Sequence, residues 1–217
     1  MLTRISGNSL YSITILLLAF VGGFVIMAVE LLGGRILAPY FGSSIHVWGS
    51  IITVFMLSLS IGYLVGGRLS MKSPDLKRFG LFFMVAAMAL LPVNFLGETM
   101  MNTVFLVIED PRYGSLAASM LLFFVPTIIL GMIAPYSVRL LVEHRDHSGR
   151  VAGGLYFVST LGSALGTLAT SFYLVLFFDI STIIHALSLT LVLSGLLAFR
   201  IHHILLKEPV SNNGEAH

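Results

Sequence analysis

Six long apolar stretches constrain this chain more than any other feature. A bilayer core about 30 Å thick needs about 20 predominantly apolar residues to cross it as a helix. Stretches of that kind run from about Ser12 to Leu32, Val47 to Val65, Phe79 to Leu96, Ser115 to Val138, Val151 to Phe177 and Ile180 to Phe199. The 217 residues are only 10% charged, with mean hydropathy +0.97. A soluble domain normally carries about 25% charged residues to cover its water-facing surface. The expected fold is an all-α polytopic membrane protein of about six transmembrane helices. Residues 1–206 form the membrane domain and 207–217 a polar C-terminal tail. The segment Met100 to Ile108 is apolar but too short to span, which leaves a short interfacial helix or a packed loop.

Lysine and arginine set the expected orientation, because cytoplasmic loops collect them. With the N-terminus inside, the inner segments hold Arg4, Arg68, Lys72, Lys77, Arg78, Arg139, Arg145, Arg150, Arg200 and Lys207. That is ten of the 12 basic residues; Arg35 and Arg112 fall outside. An even span count and both termini in the cytoplasm follow, with a bacterial inner membrane as the expected location. The net charge of +2 therefore points to loop placement and not to nucleic acid. There is no cysteine, so no disulfide, thiolate metal site or thiol nucleophile is possible.

Few residues inside the spans carry chemistry. Glu30 is the one acid deep in a predicted span, about 27 Å from Ser12 at 1.5 Å per residue and so near the outer boundary. A charge there normally finds a partner or a wet cavity. It either pairs with Arg35, with Gly33-Gly34 breaking the helix to let the two meet, or it serves a substrate or proton. Ser43 and His46, in the loop from Ala38 to Trp48, are candidates for an outer mouth, while Trp48 and Tyr40 fit an interfacial aromatic belt. His185 has no His, Asp or Glu three or four residues on, which argues against a metal site. Gly62 and Gly66, and Gly162 and Gly166, form small-xxx-small pairs that let helices approach closely; Gly153 opens the same glycine-rich fifth span. No acid–base pair, cofactor site or nucleophile with a base is visible, and no enzymatic activity is expected from these residues.

An internal repeat is also expected. Ala38-Pro39-Tyr40 recurs as Ala134-Pro135-Tyr136, and each is followed by a glycine-rich helix, Gly49 to Gly62 and Gly153 to Gly166. With an odd number of spans per half, the halves would be inverted three-plus-three repeats, the plan from which each six-helix half of a major-facilitator transporter is built. The loop Gly62 to Gly80 resembles that superfamily's basic loop, though its acid, Asp75, comes late.

One combination is more specific: Glu30-Leu-Leu-Gly-Gly-Arg35-Ile-Leu-Ala-Pro39-Tyr-Phe-Gly42-Ser43, then Trp48-Gly49-Ser50 and Leu59-Ser60-Ile-Gly62-Tyr63. With Gly149-Arg150-Val-Ala-Gly153-Gly154-Leu-Tyr156 through Gly162 and Gly166, it resembles the membrane domain of spermidine-synthase-like membrane proteins, the major-facilitator/spermidine-synthase fusions. The resemblance runs from about Val29 to Phe178. It adds Tyr156 to the candidate substrate residues. It implies the membrane half alone, without the aminopropyltransferase domain, so synthase activity is not carried over. Three readings follow: a non-catalytic subunit that partners a separate aminopropyltransferase-like enzyme at the cytoplasmic face; a small transporter, as one chain or as a dimer, for a cation such as a polyamine; or a subunit of a larger membrane complex.

Overall fold

A computed structural model describes residues 2–142 and 148–207. The polar C-terminal tail and the segment around Arg145 lie outside the described residues. Every regular element among the described residues is helical: α1 (Leu2–Phe41), α2 (Ile45–Ser70), α3 (Leu76–Phe95), α4 (Gly97–Val107), α5 (Pro111–Gly131), α6 (Ile133–Leu141), α7 (Ser148–Ala169), a π-helical turn (Thr170–Leu174), α8 (Val175–Phe177) and α9 (Ile180–Lys207). Among the described residues six spans are long and apolar enough to cross a bilayer: Ser9–Phe41, Ile45–Ser70, Leu76–Phe95, Pro111–Leu141, Gly149–Phe177 and Ile180–Leu206. The chain is an integral membrane protein of the all-α polytopic class. The fourth span joins α5 to α6, and the fifth joins α7, the π turn and α8.

The first span is longer than its apolar run implies. Gly33 and Gly34 do not break it, because each sits under an aromatic ring: Phe123 closes on Gly33 and Trp48 on Gly34. Leu37 and Phe41 are buried beyond them, so the bundle extends to Phe41. The segment 97–107 is a helix of eleven residues, packed on the start of α5.

The spans pair in a definite pattern. The first packs chiefly on the fifth, the second on the fourth, and the third on the sixth. Glycines explain the first two pairings. A β-carbon on Gly162 or Gly166 would collide with the carbonyl oxygen of Phe20 or Phe24, and one on Gly62 or Gly66 with that of Ile128 or Met132. Such close backbone approach is how helices associate where no water drives them together. In both pairs the residue numbers rise together, so the paired helices run parallel.

These contacts define a repeat with a constant step of 104 residues. Gly62 maps onto Gly166, and its partner Ile128 onto Phe24, so exchanging the halves turns one clasp into the other. The same step pairs buried Leu18 with Leu122, Val29 with Ile133, Ile51 with Leu155, Phe83 with Leu187 and Ala87 with Leu191. It also pairs Asp75 with Asp179, and each caps the helix that follows: Asp75 accepts from Lys77 N at 3.0 Å and Asp179 from Thr182 N at 3.1 Å. Three spans per half make the two halves inverted. The Ala-Pro-Tyr recurrence uses a step of 96 and is out of this register; Ala134-Pro135-Tyr136 stands opposite Glu30-Leu31-Leu32 instead.

Candidate functional site

A cavity of about 530 Å³ lies where the two repeats meet. The first span contributes Ala19, Gly23 and Met27, the second Leu59 and Tyr63, the fourth Leu130, Ile133, Ala134 and Pro135, and the fifth Tyr156, Ser159, Thr160 and Ser163. Counting from the helix ends at 1.5 Å per residue, these positions lie at mid-depth, displaced towards the end that carries the N-terminus. Most of the lining is apolar. Tyr63 and Tyr156 are half exposed and flank it, and Ser159, Thr160 and Ser163 supply hydroxyls. Ser163 Oγ donates to Gly23 O at 3.2 Å and thereby links the fifth span to the first at the cavity wall. Along the second and fifth spans the cavity is not closed: its lining residues Tyr63, Tyr156 and Thr160 are exposed there.

The repeat-related position on the other side is filled. Repeat mates of its Ala19 and Ser159 are Phe123 and Phe55, both buried, with rings 5.6 Å apart. Small residues leave space towards the N-terminal end, and two phenyl rings fill the corresponding space towards the other end.

Glu30 shares a helix face with Gly23 and Ile26 of the cavity wall, since seven and four residues correspond to nearly whole turns. It lies one turn beyond Met27. It is half-buried and has no hydrogen-bond or ion-pair partner among the described residues. The ion pair with Arg35 does not form. In an unbroken helix the two side chains point apart, and the Arg35 Nη1 donates instead to the carbonyl of Val175 at 2.9 Å. Nor does Glu30 sit at the rim, because α1 runs eleven residues past it to Phe41.

The remaining candidates fall elsewhere. Ser43 and His46 are exposed in and after the short turn between α1 and α2, on the face opposite the cavity. Trp48 packs on Gly34 at the same end. His185 accepts from Asn94 Nδ2 at 3.3 Å and donates from Nδ1 to Ser181 O at 2.9 Å, so both ring nitrogens are engaged between the third and sixth spans. Gly153 does not pack a helix: a β-carbon there would meet nothing, because α7 turns that face outward. Among the described residues no three His, Asp or Glu side chains converge on a metal position. Sequence reasoning missed Tyr63, Ser159, Thr160 and Ser163 as cavity residues; tyrosine and hydroxyls on apolar helices carry no signal until the pairing of helices is known.

No protein family, curated protein or solved structure matches this chain in the comparisons made.

Proposed function

We propose that this protein is a small membrane transporter for an organic cation of the amine class. The observation that carries the reading is the mid-depth cavity at the junction of two inverted repeats, with the Glu30 carboxyl, which has no partner among the described residues, one turn beyond it. Inverted repeats with a central site are a recurrent plan of secondary transporters. An intramembrane acid without a partner serves an ion or proton pathway more readily than it serves packing. Tyr63 and Tyr156 supply aromatic rings for a cation at the cavity flank, the three hydroxyls accept from an amine, and Glu30 supplies the charge. A polyamine fits this chemistry. The gap along the second and fifth spans is where a second copy would complete the enclosure. The orientation in this reading is that of a bacterial inner-membrane protein with both termini cytoplasmic, so the cavity faces the cytoplasm.

Uptake of labelled spermidine into liposomes holding the purified protein tests the reading. Wild type should take it up, and Glu30→Gln should lose uptake while remaining folded. No uptake by wild type and by several other amines would overturn it.

A second reading has its own observation. Arg68, Lys72, Lys77, Arg139 and Arg150 lie exposed at the N-terminal end of the bundle and form a basic surface. That surface suits a non-catalytic subunit that holds an acidic cytoplasmic partner, such as a separate spermidine-synthase-like enzyme. Co-purification of such an enzyme, lost when these residues are neutralised, would favour it.

A further inference from the structure

The repeat register makes Arg35 and Arg139 equivalent, 104 residues apart, yet the two do different things. Arg35 ties the first span to the fifth by donating to the Val175 carbonyl. That carbonyl lies in the last turn of its span, just after the π turn, where the final carbonyls lack donors from their own helix and a cation is favoured. The tether stands at the end of the molecule where Phe55 and Phe123 fill the space between the repeats. Arg139 stands at the opposite end, where the cavity is. Its side chain is exposed and has no hydrogen bond or ion pair among the described residues. The repeat mate of Val175 is Met71, at the end of α2, and among the described residues no fourth-span side chain hydrogen-bonds its carbonyl; Tyr136 and Ser137 bond Asp75 and Ile133 instead. There the turn after α2 is held by Arg78, which donates to the carbonyls of Lys72 and Ser73 from the third span. The end of the fifth span is wound as a π turn where the equivalent end of the second is regular α-helix.

Two equivalent arginines, one engaged at the filled end and one exposed at the open end without a partner among the described residues, form the pattern of a two-position device. We infer that Arg35 and Arg139 are alternating tethers. In the state described here Arg35 holds the end of the fifth span against the first. In the opposite state Arg139 draws the end of α2 onto α6 by donating to the Met71 carbonyl or its neighbours, and the Arg35 tether opens. This inference rests on the transport reading and adds the residues that would set which side is closed. Both are positioning residues, since neither lines the cavity.

The chain has no cysteine, so single and paired cysteines can be introduced without background. Spin labels at Met71→Cys and Val142→Cys report the distance between the end of α2 and the end of α6. Wild type should show mainly the longer distance. Arg35→Ala should raise the shorter population about five-fold, roughly 1 kcal/mol at 1.4 kcal/mol per tenfold. Adding Arg139→Ala should remove that gain, and Arg35→Lys, which still donates, should keep the wild-type distribution. Thr127→Cys, the mate of Gly23 on the filled side, gives a second readout. Impermeant maleimide should label it faster from the far side in Arg35→Ala. An unchanged distance distribution in folded Arg35→Ala, or a short population that survives loss of Arg139, would overturn the tethers. Neither readout needs a solute. Exchange of tethers in a protein that carries no amine would therefore sink the transport reading alone, and amine uptake without exchange would sink the tethers alone.

Discussion

The carbonyl oxygen of Phe24 occupies the space that a β-carbon on Gly166 would need, and the first and fifth spans touch there backbone to backbone. The side chains that join these spans elsewhere can adjust; a carbonyl in a continuous helix cannot move without shifting its helix. Gly166→Ala should therefore cost about 1–3 kcal/mol, the usual range for overpacking, and Gly166→Leu should prevent the wild-type fold in detergent. Gly153→Ala is the control. Nothing lies within reach of its β-carbon, and alanine is the better helix former. Thermal melting of the purified variants should separate Gly166→Ala from wild type and leave Gly153→Ala at or above it. Equal melting of the two variants would refute the clasp.

Glu30 and Arg35 are five residues apart and independent. Because Glu30 has no partner among the described residues and Arg35 is bonded to Val175, a double-mutant cycle with Glu30→Gln and Arg35→Gln should show coupling within about 0.3–0.5 kcal/mol, the scatter of non-interacting sites. Glu30→Gln alone should keep or raise the melting temperature, since it removes a half-buried charge without orphaning a cation. A large coupling, with the double variant recovering stability lost in each single one, would restore the ion pair.

The start of α9 should loosen in acid. The Asp179 carboxyl is held below the usual aspartate value by the hydrogen bond from the Thr182 hydroxyl, at 2.8 Å, and by that from the Thr182 N–H. A carboxyl depressed in the folded state favours folding above its unfolded pKa, and this contribution is lost as pH falls through the folded value. Hydrogen exchange at the first turn of α9 should accelerate below the ordinary value of 3.8. Thr182→Val should move the onset to higher pH. An onset that Thr182→Val leaves unchanged would assign the acid sensitivity to another group, with Asp110 the first to examine, because the Arg112 side chain depresses it in the same way.

The spans were readable because hydropathy over 20 residues is additive and needs no knowledge of neighbours. Their far ends were less so. The run from Gly33 to Phe41 contains glycine, arginine and proline, all signals of an ending helix, yet Phe123 and Trp48 pack it into the bundle. The repeat was visible in the matched spacing of Gly49 to Gly62 and Gly153 to Gly166, although only Gly62 and Gly166 clasp a facing helix; Gly49 and Gly153 meet nothing. The Ala-Pro-Tyr match misled because three small or aromatic residues near a helix end recur by chance. Glu30 was readable as the one intramembrane acid, but whether it had a partner depended on where Arg35 pointed, and that is set by a carbonyl 140 residues away.

Orientation is the last expectation, and the placement of basic groups argues it more closely than a count. The two arginines towards the far end are both engaged: Arg112 Nη2 meets Asp110 Oδ2 at 2.8 Å, and Arg35 caps the fifth span. At the N-terminal end Lys72, Lys77, Arg139 and Arg150 are exposed, and none has an ion-pair partner among the described residues. Free positive charge is retained on the cytoplasmic side during insertion, so the N-terminal end should face the cytoplasm. A reporter fused after Leu206 should read as cytoplasmic and one inserted at Pro111 as external. Neutralising Lys72, Lys77, Arg139 and Arg150 together should produce a mixed orientation, whereas Arg35→Gln with Arg112→Gln should leave it unchanged. An external reading after Leu206 in the unaltered protein would reverse the orientation and place the cavity on the outer side.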